Sequence, residues 1–486
     1  MMSLINRIRA CIASGLLLAS VSISADETDS AVQPAISLAE ILVNTLAYHP
    51  KTEMLQAKLE QRQAKQQQAE GAFDLQLEHR HQSRGSGYYD GWFSQQYLSR
   101  QLAFANAKLQ VGYRNSEGTL PVYEDEYRTL DKGEPNLKLS LSLLRNRAMD
   151  PKRQALQEAS IGVALEGELQ RLSLNDLLAE AAQAYLSWYL SHRELSVAQQ
   201  LLQLAETRKV GITQRVTSGD LAQVVELEFE STLFSRSAKV IELRQKLDLA
   251  SLKLSLYRRD NQGQPIQISS TTQPAALDSL SRALDQALAN LNININQHPR
   301  VQALNLRARQ LQSQRKLSRG DLLPELDVQL TLARDLGEGS ETLQGNESYL
   351  GLKFTAPIER RKAKGKLRAV EAEIKAVNSE QQLTREYLNN MLLQQETQLR
   401  NQQKLLQLRK QQAALTEKLA KVEMQRFQAG DSDLFLLNAR EIASAEAKLQ
   451  VAQTFTSILR QKMTGLAQVG QLSELTQSII AALPSD

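Results

Sequence analysis

The sequence predicts a mainly α-helical protein with a small β component, laid out twice on one plan. Three observations predict it. Arg215-x-x-x-Gly219-Asp220 recurs as Arg426-x-x-x-Gly430-Asp431, and His49-Pro50 recurs as His298-Pro299, so one architectural unit is used twice. Proline is absent for 113 residues between Pro151 and Pro265 and for 126 between Pro357 and Pro484, which leaves room in each half for very long helices. Short segments before these stretches alternate apolar and polar residues, the period of a strand and not of a helix.

The chain opens with Arg7 and Arg9, an apolar run from Ala10 to Val21, and small residues at Ser22, Ser24 and Ala25, the three-part grammar of a secretory signal over residues 1–25. The only cysteine, Cys11, lies inside it, so the mature chain relies on no disulfide although it is expected to be exported. Beyond the signal, no apolar stretch approaches the ~18 residues of a membrane-spanning helix.

The first copy, residues 26–259, begins after His49-Pro50 with a polar helix, Glu53 to Glu70. Strands are expected at about 73–84, where Phe73, Leu75 and Leu77 alternate with polar residues, and at about 136–144, where Leu137, Leu139, Leu141 and Leu143 do the same. Between them lies an insertion, residues 85–135. The two His-Pro pairs stand 249 positions apart and the two motif glycines only 211, so the first copy carries about 38 extra residues. The insertion holds the cleanest alternation, Ala105 to Arg114, preceded by Tyr88, Tyr89, Trp92, Phe93 and Tyr97, and is expected to form an extra hairpin or loop. From Pro151 an unbroken helix to Arg215 would extend on the order of 95 Å, ending in a hairpin tip at 215–220.

A connector rich in Gln, Ser, Pro and Asn, residues 260–297, leads to the second copy, residues 298–470. Here strands are expected at about 325–335 and 348–356, and the long helix carries heptad spacing at Leu392, Leu399 and Leu406 and at Leu408, Leu415 and Val422, the mark of coiled-coil packing. Its tip lies at 426–431 and a tail, 471–486, follows. Basic clusters (Arg145, Arg147, Lys152, Arg153; Arg360, Arg361, Lys362, Lys364, Lys366, Arg368) occupy the strand exits of the two copies. They suit either phospholipid head groups or solvated helix starts. Strands apolar on one side and polar on the other fit a membrane barrel with a wet lumen, or a half-buried sheet.

Aromatic residues make up 5% of the chain and the net charge is +4, with basic and acidic residues interspersed along the helices. This composition belongs to long helices and coiled coils and gives nucleic-acid binding no support. No phosphate-binding glycine loop, nucleophile elbow or His-Glu-x-x-His occurs, so no enzyme, cofactor or metal is expected. His79 and His81 share a strand face without a third ligand, and the two His-Pro pairs read as helix-entry turns.

The duplicated strand pair, the helical hairpin and the Arg-x-x-x-Gly tip resemble the TolC family of outer-membrane efflux proteins over roughly residues 36–470. The most specific stretches are Arg426-Phe-Gln-Ala-Gly-Asp-Ser-Asp-Leu-Phe-Leu-Leu-Asn-Ala439, Ala356-Pro357-Ile358 with the basic residues after it, and Leu143-Leu-Arg-Asn-Arg-Ala-Met-Asp-Pro151. The resemblance implies a homotrimer in the Gram-negative outer membrane, in contact with its lipid, each chain giving four strands to one short barrel that a helical coiled-coil barrel continues across the periplasm. It implies a passive exit duct of a tripartite efflux or type I secretion system, coupled to an inner-membrane pump or ABC transporter. The tips, Arg215, Gly219, Asp220, Arg426, Gly430 and Asp431, would dock a periplasmic adaptor. Where some relatives carry paired acids at the pore constriction, this chain has Phe435 and Asn438, leaving Asp431, Asp433 and the first-copy Glu226 as nearby acids. Asp431 and Asp433 suit equally the capping of the returning helix. The alternative function is a periplasmic coiled-coil scaffold without a pore.

Overall fold

The computed structural model describes residues 35–269, 271–289 and 294–482; the expected signal, residues 1–25, lies outside them. In chain order the elements are α1 (Leu38–Tyr48), α2 (Pro50–Glu70), β1 (Leu75–Ser83), β2 (Trp92–Gln101), β3 (Lys108–Glu117), β4 (Glu134–Ser142), α3 (Pro151–Thr217), α4 (Gln223–Ser255), α5 (Asp278–Ala289), α6 (Pro299–Gly320), β5 (Glu325–Asp335), β6 (Gly345–Thr355), α7 (Arg361–Ala429), α8 (Leu434–Gln468) and α9 (Leu472–Ala482).

Proline sets the helix joints. α2, α3 and α6 each begin on a proline, whose missing N–H costs nothing in the first helical turn. The residue before proline is pushed out of the helical region: His49 sits at φ −72, ψ 131 and His298 at φ −61, ψ 132, which ends the preceding turn and re-aims the chain. At the third joint the Asp150 carboxylate accepts hydrogen bonds from the N–H groups of Lys152 (2.9 Å) and Arg153 (3.0 Å) and so caps α3.

The strands form one antiparallel sheet in the order β1-β2-β3-β4-β5-β6, each paired with its neighbours in sequence. This corrects the expectation of four strands per chain. The insertion supplies β2 and β3, which pair on either side with β1 and β4, so the two strands expected in the first copy are not adjacent. The reason lies in β2. Phe93 and Tyr97 fall on the sheet face that is otherwise polar, and Leu98 on the other, so Trp92 to Gln101 shows no clean alternation although its backbone pairs along its whole length.

Two compact units divide the chain. Among the described residues, one comprises those up to Gln56, those from Gln170 to Pro299 and those from Arg385 onward; the other comprises Ala57–Leu169 and Arg300–Thr384, and α3 and α7 contribute to both. The core of the first unit centres on fully buried Trp188 and Tyr185, packed with Ile36, Leu42, Leu247, Leu459 and Leu472. The Tyr185 hydroxyl donates to the Ile36 carbonyl at 2.8 Å, so even this phenol is satisfied. Connector residues Ile268, Leu277 and Leu284 enter the same core, which makes the connector and α9 part of the packing. The second unit holds the sheet and the helix segments that lead into and out of it.

Candidate functional site

Both Arg-x-x-x-Gly-Asp motifs close their helices in the same way. The Asp220 N–H donates to the Arg215 carbonyl (2.9 Å) and the Gly219 N–H to the Val216 carbonyl (3.1 Å). In the second copy Asp431 N–H reaches the Arg426 carbonyl (2.9 Å) and Gly430 N–H the Phe427 carbonyl (3.2 Å). This six-to-one plus five-to-two pattern is the Schellman motif, with the glycine in the left-handed region, φ +80 at Gly219 and +84 at Gly430. The motif therefore recurs because one backbone geometry recurs. The structure brings the two turns together: the Arg215 guanidinium lies 5.9 Å from the Phe427 ring centre, and Leu434 packs on the cluster of Ala205, Ile212 and Phe229. Arg426 braces its own turn, pairing with Glu423 at 3.5 Å and donating to the Asp431 carbonyl at 3.1 Å.

The residues expected near a constriction have distinct partners. Asp433 is the N-cap of α8, its carboxylate accepting from the Leu436 N–H at 2.7 Å. Glu226 accepts from the Thr213 hydroxyl at 2.8 Å. The Asn438 side-chain oxygen accepts from Arg236 (3.2 Å) and Arg208 (3.5 Å). Asp431 and Phe435 are exposed, Phe435 by 82%.

Sequence reasoning missed the cluster that holds Asn438. Glu441, 7% exposed, receives Arg208 on one carboxylate oxygen (2.5 Å) and Arg236 on the other (3.2 Å), while Arg236 also donates to the Leu201 carbonyl at 2.7 Å. Three helices, α3, α4 and α8, meet in this buried ion cluster. The partners are separated by more than 200 positions, and only helix packing brings them together.

In the second unit the sheet has two unlike faces. One carries Leu75, Leu77, Leu98, Leu109, Val111, Leu137, Leu330, Leu332, Leu350, Leu352 and Phe354, all exposed in the single chain. The other carries Glu78, Arg80, Gln95, Gln110, Arg114, Lys138, Gln329, Thr331 and Lys353. Among the described residues β1 and β6 pair on one side only, which leaves two open edges. At the strand exits the basic side chains are tied locally: Arg145 (3.2 Å) and Lys366 (2.9 Å) share Asp321, and Lys152 donates to Gln101 at 2.7 Å. No helix among the described residues is long and apolar enough to cross a membrane.

No family model matches the sequence, and no curated protein matches it. Solved structures do match. The outer membrane protein VceC from Vibrio cholerae aligns with a TM-score of 0.61 at 15% identity over 89% of this chain and 96% of its own. The Campylobacter jejuni CmeC outer membrane channel gives 0.60 at 10% identity over 93% and 94%. The Neisseria gonorrhoeae MtrE outer membrane channel, in its open state, gives 0.59 at 13% identity over 94% and 96%. The chain thus has the fold of the TolC-like outer-membrane channels.

Proposed function

We propose that this chain is the outer-membrane exit duct of a tripartite efflux or type I secretion system. The observation that carries the proposal is the sheet, mainly apolar on one face, mainly polar on the other and, among the described residues, open at both edges. Unpaired N–H and C=O groups cannot face hydrocarbon, where nothing replaces water as their partner. The edges must then meet edges of further copies, and a sheet closed in that way puts its apolar face to lipid and its polar face around water. With three copies, as in the homotrimer that the resemblance implies, six strands per chain give an eighteen-stranded barrel, a size that encloses an aqueous channel.

The duct is passive. The helical hairpins extend into the periplasm, and the tips Arg215–Asp220 and Arg426–Asp431 dock a periplasmic adaptor that joins an inner-membrane pump or ABC transporter. Asp431 in the second tip and Phe435 just beyond it are exposed, and in this reading they border the constriction. Outer-membrane extraction, heat-modified gel migration and planar-bilayer recording of the full chain test the reading. A duct gives a detergent-extracted species whose mobility changes on boiling and which conducts ions. A pore-free periplasmic scaffold is released without detergent, and that result would overturn the proposal.

A further inference from the structure

Four of the six strands of the sheet connect to helices, and all the helix-bearing ends lie on one side: α2 enters at Leu75, α3 leaves after Ser142, α6 enters before Glu325 and α7 leaves after Thr355. The opposite rim is formed by Ser83, Trp92, Glu117, Glu134, Asp335 and Gly345. From this rim the sixteen residues between Glu117 and Glu134 do not extend away from the sheet. They fold back over its polar face.

The middle of this segment is anchored by side chains on that face and just past the end of β1, and its ends by the rim: Gly91 N–H donates to the Thr119 carbonyl at 3.2 Å and the Tyr113 hydroxyl to the Lys132 carbonyl at 2.5 Å. Tyr127 stacks on Phe93 of β2, with ring centroids 4.2 Å apart and an interplanar angle of 15°, and Phe93 is left 1% exposed. Arg80 of β1 caps both rings, at 5.4 Å from Phe93 and 5.9 Å from Tyr127. Glu124 pairs with Arg84 at 2.7 Å just beyond the end of β1. Thr129 and Ser116 of β3 exchange hydrogen bonds, the Thr129 N–H donating to Ser116 Oγ (2.8 Å) and the Ser116 N–H to Thr129 Oγ1 (3.0 Å). Across the sheet the Asp335 carboxylate of β5 accepts from the Leu130 N–H at 3.1 Å, and Leu130 is buried. The segment therefore spans the face from β1 to β5. The segment also presents Val122, 87% exposed, and Tyr123, 75% exposed and beside Arg84.

We infer that residues 118–133 are a built-in constriction at the helix-distal mouth of the duct, with Val122 and Tyr123 as the side chains that meet whatever passes. The inference rests on the channel reading of the polar face as lumen. Its physical logic follows from β2 and β3: the hairpin that widens the barrel also supplies, through its connection to β4, the mass that narrows the opening again. An exposed apolar and an exposed aromatic side chain in a lumen lined chiefly by polar and charged residues favour amphipathic cargo over fully hydrated ions, since a narrow apolar collar resists wetting.

The test is single-channel recording on the full chain in planar bilayers, with neutral polyethylene glycols of graded size as probes of pore width. Three forms are compared: wild type, Y123A with V122S, and Tyr127→Ala with Glu124→Gln. The first pair of substitutions lies on exposed side chains and leaves the Tyr127 stack, the Glu124–Arg84 ion pair and the Thr129–Ser116 hydrogen bonds in place; the second removes the stack and weakens the ion pair. Both altered forms should raise conductance by about twofold or more and admit larger polymers than wild type. Conductance and polymer cut-off equal to wild type in Y123A with V122S would overturn the constriction while leaving the duct standing. No channels from any form, wild type included, would overturn the duct and the constriction with it.

Discussion

At Gly219 and Gly430 the tip geometry is a matter of backbone angle alone, since a Cβ added at either position meets nothing within 4 Å. Left-handed backbone costs ordinary residues roughly 1–2 kcal/mol and asparagine less. Gly430→Ala should therefore speed limited proteolysis at the tip severalfold, and Gly430→Asn should do so far less. Equal cleavage of the two variants would mean that the angle is not what the motif provides. His49 offers a second residue-scale test. Burial first, then the nearby Arg259 and Lys51 charges, lower its pKa from 6.5 to about 4. Its Nδ1 accepts the Lys51 N–H at 3.1 Å, and its ring stacks on Tyr257. With the folded pKa below the unfolded one, the unfolded chain binds the proton more readily between these values. The contribution is complete above about pH 6.5 and is lost as pH falls toward 4. Melting temperature should fall over that window more in the wild type than in His49→Gln, and parallel curves would count against it.

At the scale of elements, legibility followed locality. The His-Pro joints and the Schellman tips were readable because the residues that set them lie within six positions of one another, where proline and glycine act directly on the backbone. Strand β2 was not, because Phe93 and Tyr97 turn toward the polar face and Phe93 is covered by Tyr127, more than thirty positions away. The Arg208, Arg236 and Glu441 cluster carries no sequence signal either, since each member is an ordinary charged residue on a charged helix until α3, α4 and α8 pack. Removing its single acid leaves two buried arginines without a counter-charge, with Asn438 and the Leu201 carbonyl left to accept from them, so Glu441→Ala should cost about 3–5 kcal/mol. Faster amide exchange in α4 and α8 would report it; unchanged exchange would show the cluster to be dispensable. The two sheet faces make their own prediction. If the proposed duct is right, Leu330→Arg places a charge on the lipid side, where a midplane cation costs about 2–4 kcal/mol, and Gln329→Arg places one in the wet lumen. The first should sharply reduce the folded protein in outer membranes and the second should not. Equal yields would remove the assignment of the faces.

At the scale of the whole molecule, the architecture follows from one unmet need. On the proposed reading, a six-stranded sheet with an exposed, mainly apolar face and, among the described residues, two open edges is incomplete as a single chain in lipid and is completed by further copies of itself. The fold of outer-membrane channels, the two-faced strands and the duplicated helical hairpins are parts of the same solution. The central claim is that copies of this chain close one barrel, and the mass of the complex extracted by detergent from outer membranes tests it most directly. Native mass spectrometry should find a species of three mature chains and no folded single chain. A stable, membrane-inserted monomer would contradict the account.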